Sequence, residues 1–377
     1  MKKLITVLLS GILLISLAGC GNLKEKKEDV VTVLPKGEGQ ELAVVGMNEV
    51  HAGSLLDISP DKKTVLFTWN GSSADAAALP RNLYTTDLTG HTVSRYSTSD
   101  KYQDYARFSP DGKKVVTLEH KQDYVEGFIS ANKANADRKM LKETEDTVQY
   151  PWGWCPEELS PVSWTSDSHN FSVAFSCYRY GNNKIFIFDE NGKRTKEIDA
   201  KANGLDRLRY PCFLNNETVL AVGEKIVNHQ VEYGIYAFSL NSKTINPKKV
   251  VDPAGREHIT FAVSPNKKMI AYAGRVKETG MYEIKADAID KNLNTTLLGA
   301  TGSNSIRQIT WSPDNQHLVY VDGGNMWLYN PSSCDKKQIV SMNYISKVVW
   351  INSRELLFSG IDQSKLETEK IYDLKLN

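Results

Sequence analysis

Phe108-Ser109-Pro110-Asp111-Gly112-Lys113-Lys114-Val115-Val116 is the phrase that carries the fold. It returns as Ile58-Ser59-Pro60-Asp61-Lys62-Lys63-Thr64-Val65-Leu66, as Val263-Ser264-Pro265-Asn266-Lys267-Lys268-Met269-Ile270, and as Trp311-Ser312-Pro313-Asp314-Asn315-Gln316-His317-Leu318. An apolar residue enters, Ser-Pro-Asp/Asn turns the chain, and an apolar strand leaves. Proline presets φ at about −65° for the second turn position, and Asp or Asn suits the third by bonding nearby backbone. Each phrase is therefore a hairpin tip between two strands.

Asp61 and Asp111 lie 50 residues apart, and Asn266 and Asp314 lie 48 apart. The 155 residues from Asp111 to Asn266 leave room for two more units, and degraded copies stand there. One is Trp164-Thr165-Ser166-Asp167 before Phe171 to Phe175; the other is Phe213-Leu214-Asn215-Asn216-Glu217 before Thr218 to Val222. A last copy is Trp350-Ile351-Asn352-Ser353 before Glu355 to Phe358. A period of roughly 40 to 50 residues containing several short strands marks a propeller blade. Unrelated hairpins of a sandwich have no reason to repeat one turn chemistry at constant spacing. The fold expected is an all-β, seven-bladed β-propeller, with six or eight blades as the alternatives.

The aromatic-Ser-Pro-Asp-Gly-Lys phrase resembles the TolB-type, WD-repeat-like propeller repeat, also found in the propeller domains of prolyl oligopeptidases and dipeptidyl peptidases. The resemblance runs from Gly53 to the C-terminus. It implies a fold and no single activity, because this architecture hosts binding modules, scaffolds and enzymes.

At the N-terminus Met1-Lys2-Lys3 is positive, Leu4 to Leu17 is mostly apolar, and Leu17-Ala18-Gly19-Cys20 follows. That order is a secretion signal, and its apolar part is short for a span of about 20 residues. Leu-Ala-Gly-Cys resembles the bacterial lipobox, which implies cleavage before Cys20 and diacylation of its thiol. Lys24 to Asp29 is all charged and can build no core, so it reads as a solvated tether. The organisation expected is a signal peptide over 1–19, a lipidated Cys and tether over 20–40, and the propeller over 41–377. The protein is then exported and held at the outer face of the bacterial cell membrane, its membrane contact made through the lipid.

The chain is 41% hydrophobic and 24% charged, as an ordinary globular protein is. Seven blades of about 50 residues use nearly all of the 377 residues. With 46 basic and 45 acidic residues the net charge is +1, which argues against nucleic acid as a partner. No Cys-x-x-Cys, Gly-x-Ser-x-Gly, His-Glu-x-x-His or phosphate-binding glycine loop occurs. The histidines, His51, His91, His120, His169, His229, His258 and His317, fall at loops or strand ends of different units without ligand spacing. No metal and no cofactor is expected. Besides Cys20 there are Cys155, Cys177, Cys212 and Cys334, which allow three pairings; Cys155 with Cys177 is the pair expected to bridge.

Each unit is expected to supply four strands, innermost first. The C-terminal Lys370 to Leu376 reads as the third strand of a last blade, and Glu41 to Val45 as the fourth, closing the ring. Unit two breaks the pattern between Val125 and Ser160. Ala131 to Glu145 has helix-forming composition, and Tyr150-Pro151-Trp152-Gly153-Trp154 gathers aromatics in a long loop. Tyr150, Trp152 and Trp154 are candidate partner-binding residues, since such side chains anchor interfaces. Near the starts of the innermost strands stand Asp104, Arg107, Arg207, Arg209, His258 and Arg307, the candidate ring at the channel mouth, with Lys347 in the last unit. The function expected is a binding or scaffolding module for a protein, peptide or glycan of the cell envelope. The alternative is a propeller polysaccharide lyase or hydrolase that works through channel residues.

Overall fold

In the computed structural model, residues 42–69, 82–97, 99, 102–121, 124–141, 162–176, 183–242, 247–289, 296–300, 305–331, 333, 335–362 and 368–377 are described. The Ser-Pro-Asp phrase folds as a tip closed by its own side chains. The Ser109 hydroxyl donates to Asp111 at 2.6 Å and accepts the Lys114 N–H at 2.9 Å. Asp111 accepts the Lys113 N–H at 3.1 Å. Ser59 and Asp61, and Ser264 and Asn266, repeat the arrangement. The degraded copy keeps it with Thr165 and Asp167 at 2.6 Å. The tip forces a left-handed residue at its end: Gly112 has φ 71°, and Lys62, Ser168, Lys267 and Asn315 hold the same place at 62° to 65°. Glycine is the unstrained choice there.

These tips join strands in a repeating meander. After β1 (Val44–Ala52), blade one is β2 (Ser54–Ile58), β3 (Thr64–Trp69), β4 (Asn82–Asp87) and β5 (Ser94–Arg95). Blade two is β6 (Tyr102–Phe108), β7 (Lys114–Lys121), β8 (Tyr124–Ala131) and β9 (Arg138–Met140). Blade three is β10 (Val162–Trp164), β11 (Asn170–Ser176), β12 (Asn183–Asp189) and β13 (Arg194–Asp199). Blade four is β14 (Arg207–Asn215), β15 (Thr218–Val227), β16 (Gln230–Ser239) and β17 (Pro247–Val251). Blade five is β18 (Arg256–Val263), β19 (Met269–Val276), β20 (Tyr282–Ala288) and β21 (Thr296–Ala300). Blade six is β22 (Gln308–Trp311), β23 (Leu318–Asp322), β24 (Asn325–Asn330) and β25 (Asp335–Ser341). Blade seven is β26 (Tyr344–Asn352), β27 (Glu355–Ile361), β28 (Lys370–Leu376) and, outermost, β1. Seven four-stranded antiparallel sheets result, as the repeat count predicts.

The second strand of each blade is apolar on both faces because a sheet lies against either side of it. Val65, Leu66 and Phe67 in β3 and Leu356, Leu357 and Phe358 in β27 are fully buried. Among the described residues the buried apolar side chains fall into seven clusters, each shared by two neighbouring blades. Blades two and three, for example, share Val116, Leu118, Trp164, Phe171 and Phe186. The core is thus a ring of interfaces rather than a single centre.

Ring closure falls where the sequence places it, with a change of extent. β1 pairs antiparallel with β28, from Val44 opposite Leu376 to Ala52 opposite Lys370. The strand runs from Val44 to Ala52 and so shares only Val44 and Val45 with the expected 41–45; Asn48, Glu49 and His51 suit an outermost strand with one edge in solvent. Lys370 meets Glu49 at 2.6 Å across this pair. Two expectations for unit two are corrected. Over 131–141 the chain is not helical: β8 ends at Ala131, and Arg138–Met140 is β9. Pairing with Phe128 to Ser130 overrides the local helix propensity. The blade is therefore regular up to Leu141; residues 142–161 lie outside the described residues.

Candidate functional site

The seven innermost strands, β2, β6, β10, β14, β18, β22 and β26, converge on a channel of about 360 Å³ to which all contribute side chains. Its lining follows a rule visible in the repeat. Asp57, Arg107, Ser163, Ala262 and Thr310 each stand two residues before the Ser or Thr of their turn, and all five line the channel. In blades one to three strand alternation sends that position inward and the intervening Ile58, Phe108 and Trp164 into the interfaces between blades.

Bulges adjust this wall. Register slips between Leu55 and Asp57, Gln103 and Tyr105, Arg209 and Cys212, Glu257 and Thr260, and Ile345 and Lys347. A bulge re-aims the side chains beside it. Lys347 follows the slip in β26 and lines the channel. Tyr210 and His258 sit inside the slips of β14 and β18, with left-handed φ of 54° and 52°.

Hydrogen bonds between neighbouring inner strands hold the lining in place. The Phe108 N–H donates to Asp57 Oδ2 at 2.9 Å, and the Phe213 N–H to Ser163 Oγ at 3.0 Å. Gln308 bonds both backbone groups of Val348, at 2.7 and 2.9 Å. Tyr105 Oη and Arg107 Nη1 both donate to the Val162 carbonyl at 3.3 Å. Among the described residues the charged groups of the wall are Lys347 in blade seven, Asp57 in blade one and Arg107 in blade two, on three consecutive inner strands. Enclosure works against the Arg107 charge, but Tyr105 and Asp57 more than offset it, and the guanidinium is held more firmly cationic than usual. Lys347 is pushed down to about 8, first by enclosure and then by Arg107, with Asp57 opposing. Burial raises the Cys212 thiol above its ordinary value, against the pull of Lys267 and Arg107. Among the described residues Cys212 has no disulfide partner.

Of the six residues expected at the channel mouth, Arg107 is on the channel wall. Arg207 and Arg209 instead meet the buried Glu224 at 3.2 and 3.0 Å. Arg307 lies over the Tyr344 ring, 4.5 Å from its centroid. His258 is exposed at its bulge and is not among the lining residues. Asp104 is in β6, but its side chain lies outside the description. These positions lie nearer the strand starts than the lining does, so they reach neighbours at the rim. Sequence reasoning placed Lys347 in the ring but missed Asp57, Tyr105 and Cys212; the constant offset from the turn was the signal for Asp57. Tyr150, Trp152, Trp154, Cys155, Cys177 and Cys20 lie outside the described residues. Among the described residues no three His, Cys, Asp or Glu side chains gather as metal ligands. Among them also, no helix is long and apolar enough to cross a membrane.

No protein-family model matches the chain, and no curated protein matches it. Solved structures do. An oligogalacturonate lyase in complex with manganese is similar with a TM-score of 0.58 at 13% identity, over 89% of this chain and 95% of that one. The β-propeller domain of the Trilobed protease from Pyrococcus furiosus, described as having an open velcro topology, gives 0.56 at 12% over 86% and 95%. Kuenenia stuttgartiensis hydrazine synthase gives 0.57 at 10% over 91% and 99%. At such identities the likeness concerns architecture alone. This chain has the seven-bladed β-propeller fold, with its last blade completed by the N-terminal strand β1.

Proposed function

We propose that the protein is an exported bacterial lipoprotein of TolB-like type, anchored through Cys20, whose propeller is a binding module for a protein or peptide of the cell envelope. The observation that carries this reading is the channel, lined from all seven inner strands and held by hydrogen bonds between blades. A prebuilt concave site costs little ordering on binding. The leader over 1–19 and the Leu17-Ala18-Gly19-Cys20 motif support the anchoring part, since diacylation supplies the two chains that stable attachment needs.

The test is capture from cross-linked cells with the lipidated protein as bait, alongside Cys20→Ala and a Trp152→Ala/Trp154→Ala double variant. Cys20→Ala is expected to leave the membrane fraction or remain unprocessed while its Tm is unchanged. If the tryptophans anchor the partner, the double variant binds it more weakly by over about 1 kcal/mol at unaltered Tm. A cleaved Cys20→Ala protein that stays on the membrane overturns the anchoring. One observation favours the enzyme alternative: Lys347, brought near 8 beside Arg107, has the character of a proton-transfer group. Turnover of a polysaccharide or peptide that Lys347→Met abolishes would replace the binding reading with that one.

A further inference from the structure

We infer that the channel is a carboxylate-binding site in which Arg107 and Lys347 hold the anion. The inference deepens the binding reading, resting on it in taking the channel as the site and owing nothing to the anchor. Lys347, Asp57 and Arg107 occupy three successive inner strands, so two cations flank one carboxylate on one arc of the wall. Asp57 already accepts the Phe108 N–H. The Lys347 side chain has no hydrogen bond or ion pair among the described residues. Among the described residues the rest of the wall holds no Asp, Glu, Lys, Arg or His and supplies Ser163, Thr260, Gln308 and Thr310 as polar groups. One surplus positive charge on this half-buried wall is unfavourable and is relieved by one negative charge.

The same balance selects the kind of anion. A single carboxylate neutralises the surplus. A phosphate dianion overshoots it and meets Asp57. The space, about 360 Å³, is at the small end of ligand pockets. It accommodates a small carboxylic acid or the carboxylate end of a peptide, and not a folded domain. Enclosure and Arg107 push Lys347 down to about 8, so a bound carboxylate restores its proton and binding near that pH takes one up. The other titratable groups facing the space are Asp57 on β2, Tyr105 and Arg107 on β6, and Tyr210 and Cys212 on β14.

The full chain in detergent micelles is titrated calorimetrically with propionate, succinate, an N-acetylated tripeptide with a free C-terminus, and its C-terminal amide. Saturable binding of at least one free acid is expected, with the amide at least about tenfold weaker. Preference for the tripeptide over propionate and succinate identifies a peptide end as the source; the reverse order identifies a small acid. Lys347→Met is expected to weaken binding at least about tenfold, and Lys347→Arg to keep it within about threefold. Buffers of different ionisation enthalpy at pH 8 are expected to report proton uptake, and affinity to fall as pH rises further. Equal binding of acid and amide, an unchanged affinity in Lys347→Met, or no carboxylate bound at about 10 mM overturns the inference. If cross-linking captures a partner and no carboxylate binds, the binding module stands and this assignment falls. Lys347 is the residue tested because Arg107 also supports the Val162 carbonyl.

Discussion

Single side chains do the structural work of the repeat. Ser109 is fully buried and serves its turn as both donor and acceptor. Ser109→Ala strands the Lys114 N–H and removes a donor from Asp111, and it is expected to cost about 1–3 kcal/mol, read as a lower denaturant midpoint. The turn carboxylates add a pH dependence. Asp61 is held below its usual value first by the Ser59 hydroxyl and then by the Lys63 N–H, and Asp167 first by the Thr165 hydroxyl. A depressed carboxylate contributes stability that is present above its unfolded value and lost as pH falls through the folded one. The Tm is therefore expected to hold steady from pH 7 to about 5 and to fall below about 4. Asp61→Asn with Asp167→Asn is expected to flatten that fall, since Asn266 closes the same turn in blade five without a charge. A decline of equal steepness in the double variant would remove these carboxylates from the account.

Among the elements, β1 has the special task. It is laid down first yet completes the last blade, and without it β28 presents an unpaired edge. The turn after β4 depends on it as well. Gly90 has φ 74°, and a Cβ there would stand 1.9 Å from the Val50 carbonyl of β1. Gly204 has nearly the same backbone, φ 69°, with nothing within 4 Å of such an atom. Gly204→Ala thus pays the left-handed backbone alone, about 1–2 kcal/mol. Gly90→Ala pays that and must also move β1. The prediction is a clearly larger loss of stability for Gly90→Ala, with faster amide exchange in β1 and β28. Equal losses in the two variants would mean that β1 adjusts without cost.

For the molecule as a whole, closure has an energetic consequence. Each of the seven apolar clusters is shared by two blades, and blade seven shares one with blade one through Val50, Leu55, Phe67, Leu357 and Ile371. No blade is terminal, so none frays alone as an end repeat of an open array does. The described ring is expected to melt in one calorimetric transition whose van't Hoff and calorimetric enthalpies agree. Resolved melting of one or two blades before the rest would contradict a core built from shared interfaces. Such a ring also keeps the channel lining fixed while its rim is free to vary.

Fold, blade number and closing strand were legible in the chain itself because they rest on local chemistry repeated at a constant interval. A Ser-Pro-Asp tip makes its hydrogen bonds within about six residues, whatever surrounds it, so Phe108 to Val116 reads the same alone as in the ring. The inward position two residues before each turn was equally open to reading, since strand alternation is fixed by the backbone. What tertiary structure decided is which charges meet. Lys347 and Asp57 are 290 residues apart in sequence and lie on adjacent inner strands only because β1 closes the circle. Arg207, Arg209 and Arg307 read as channel residues until Glu224 and Tyr344 arrived from other strands to engage them. The helical composition after Ala131 gave way to β9 for the same reason: pairing with β8 satisfies backbone groups that an isolated segment would satisfy in a helix. Local bonding is written residue by residue, whereas the balance of charge in a channel depends on strands that only the closed ring brings together.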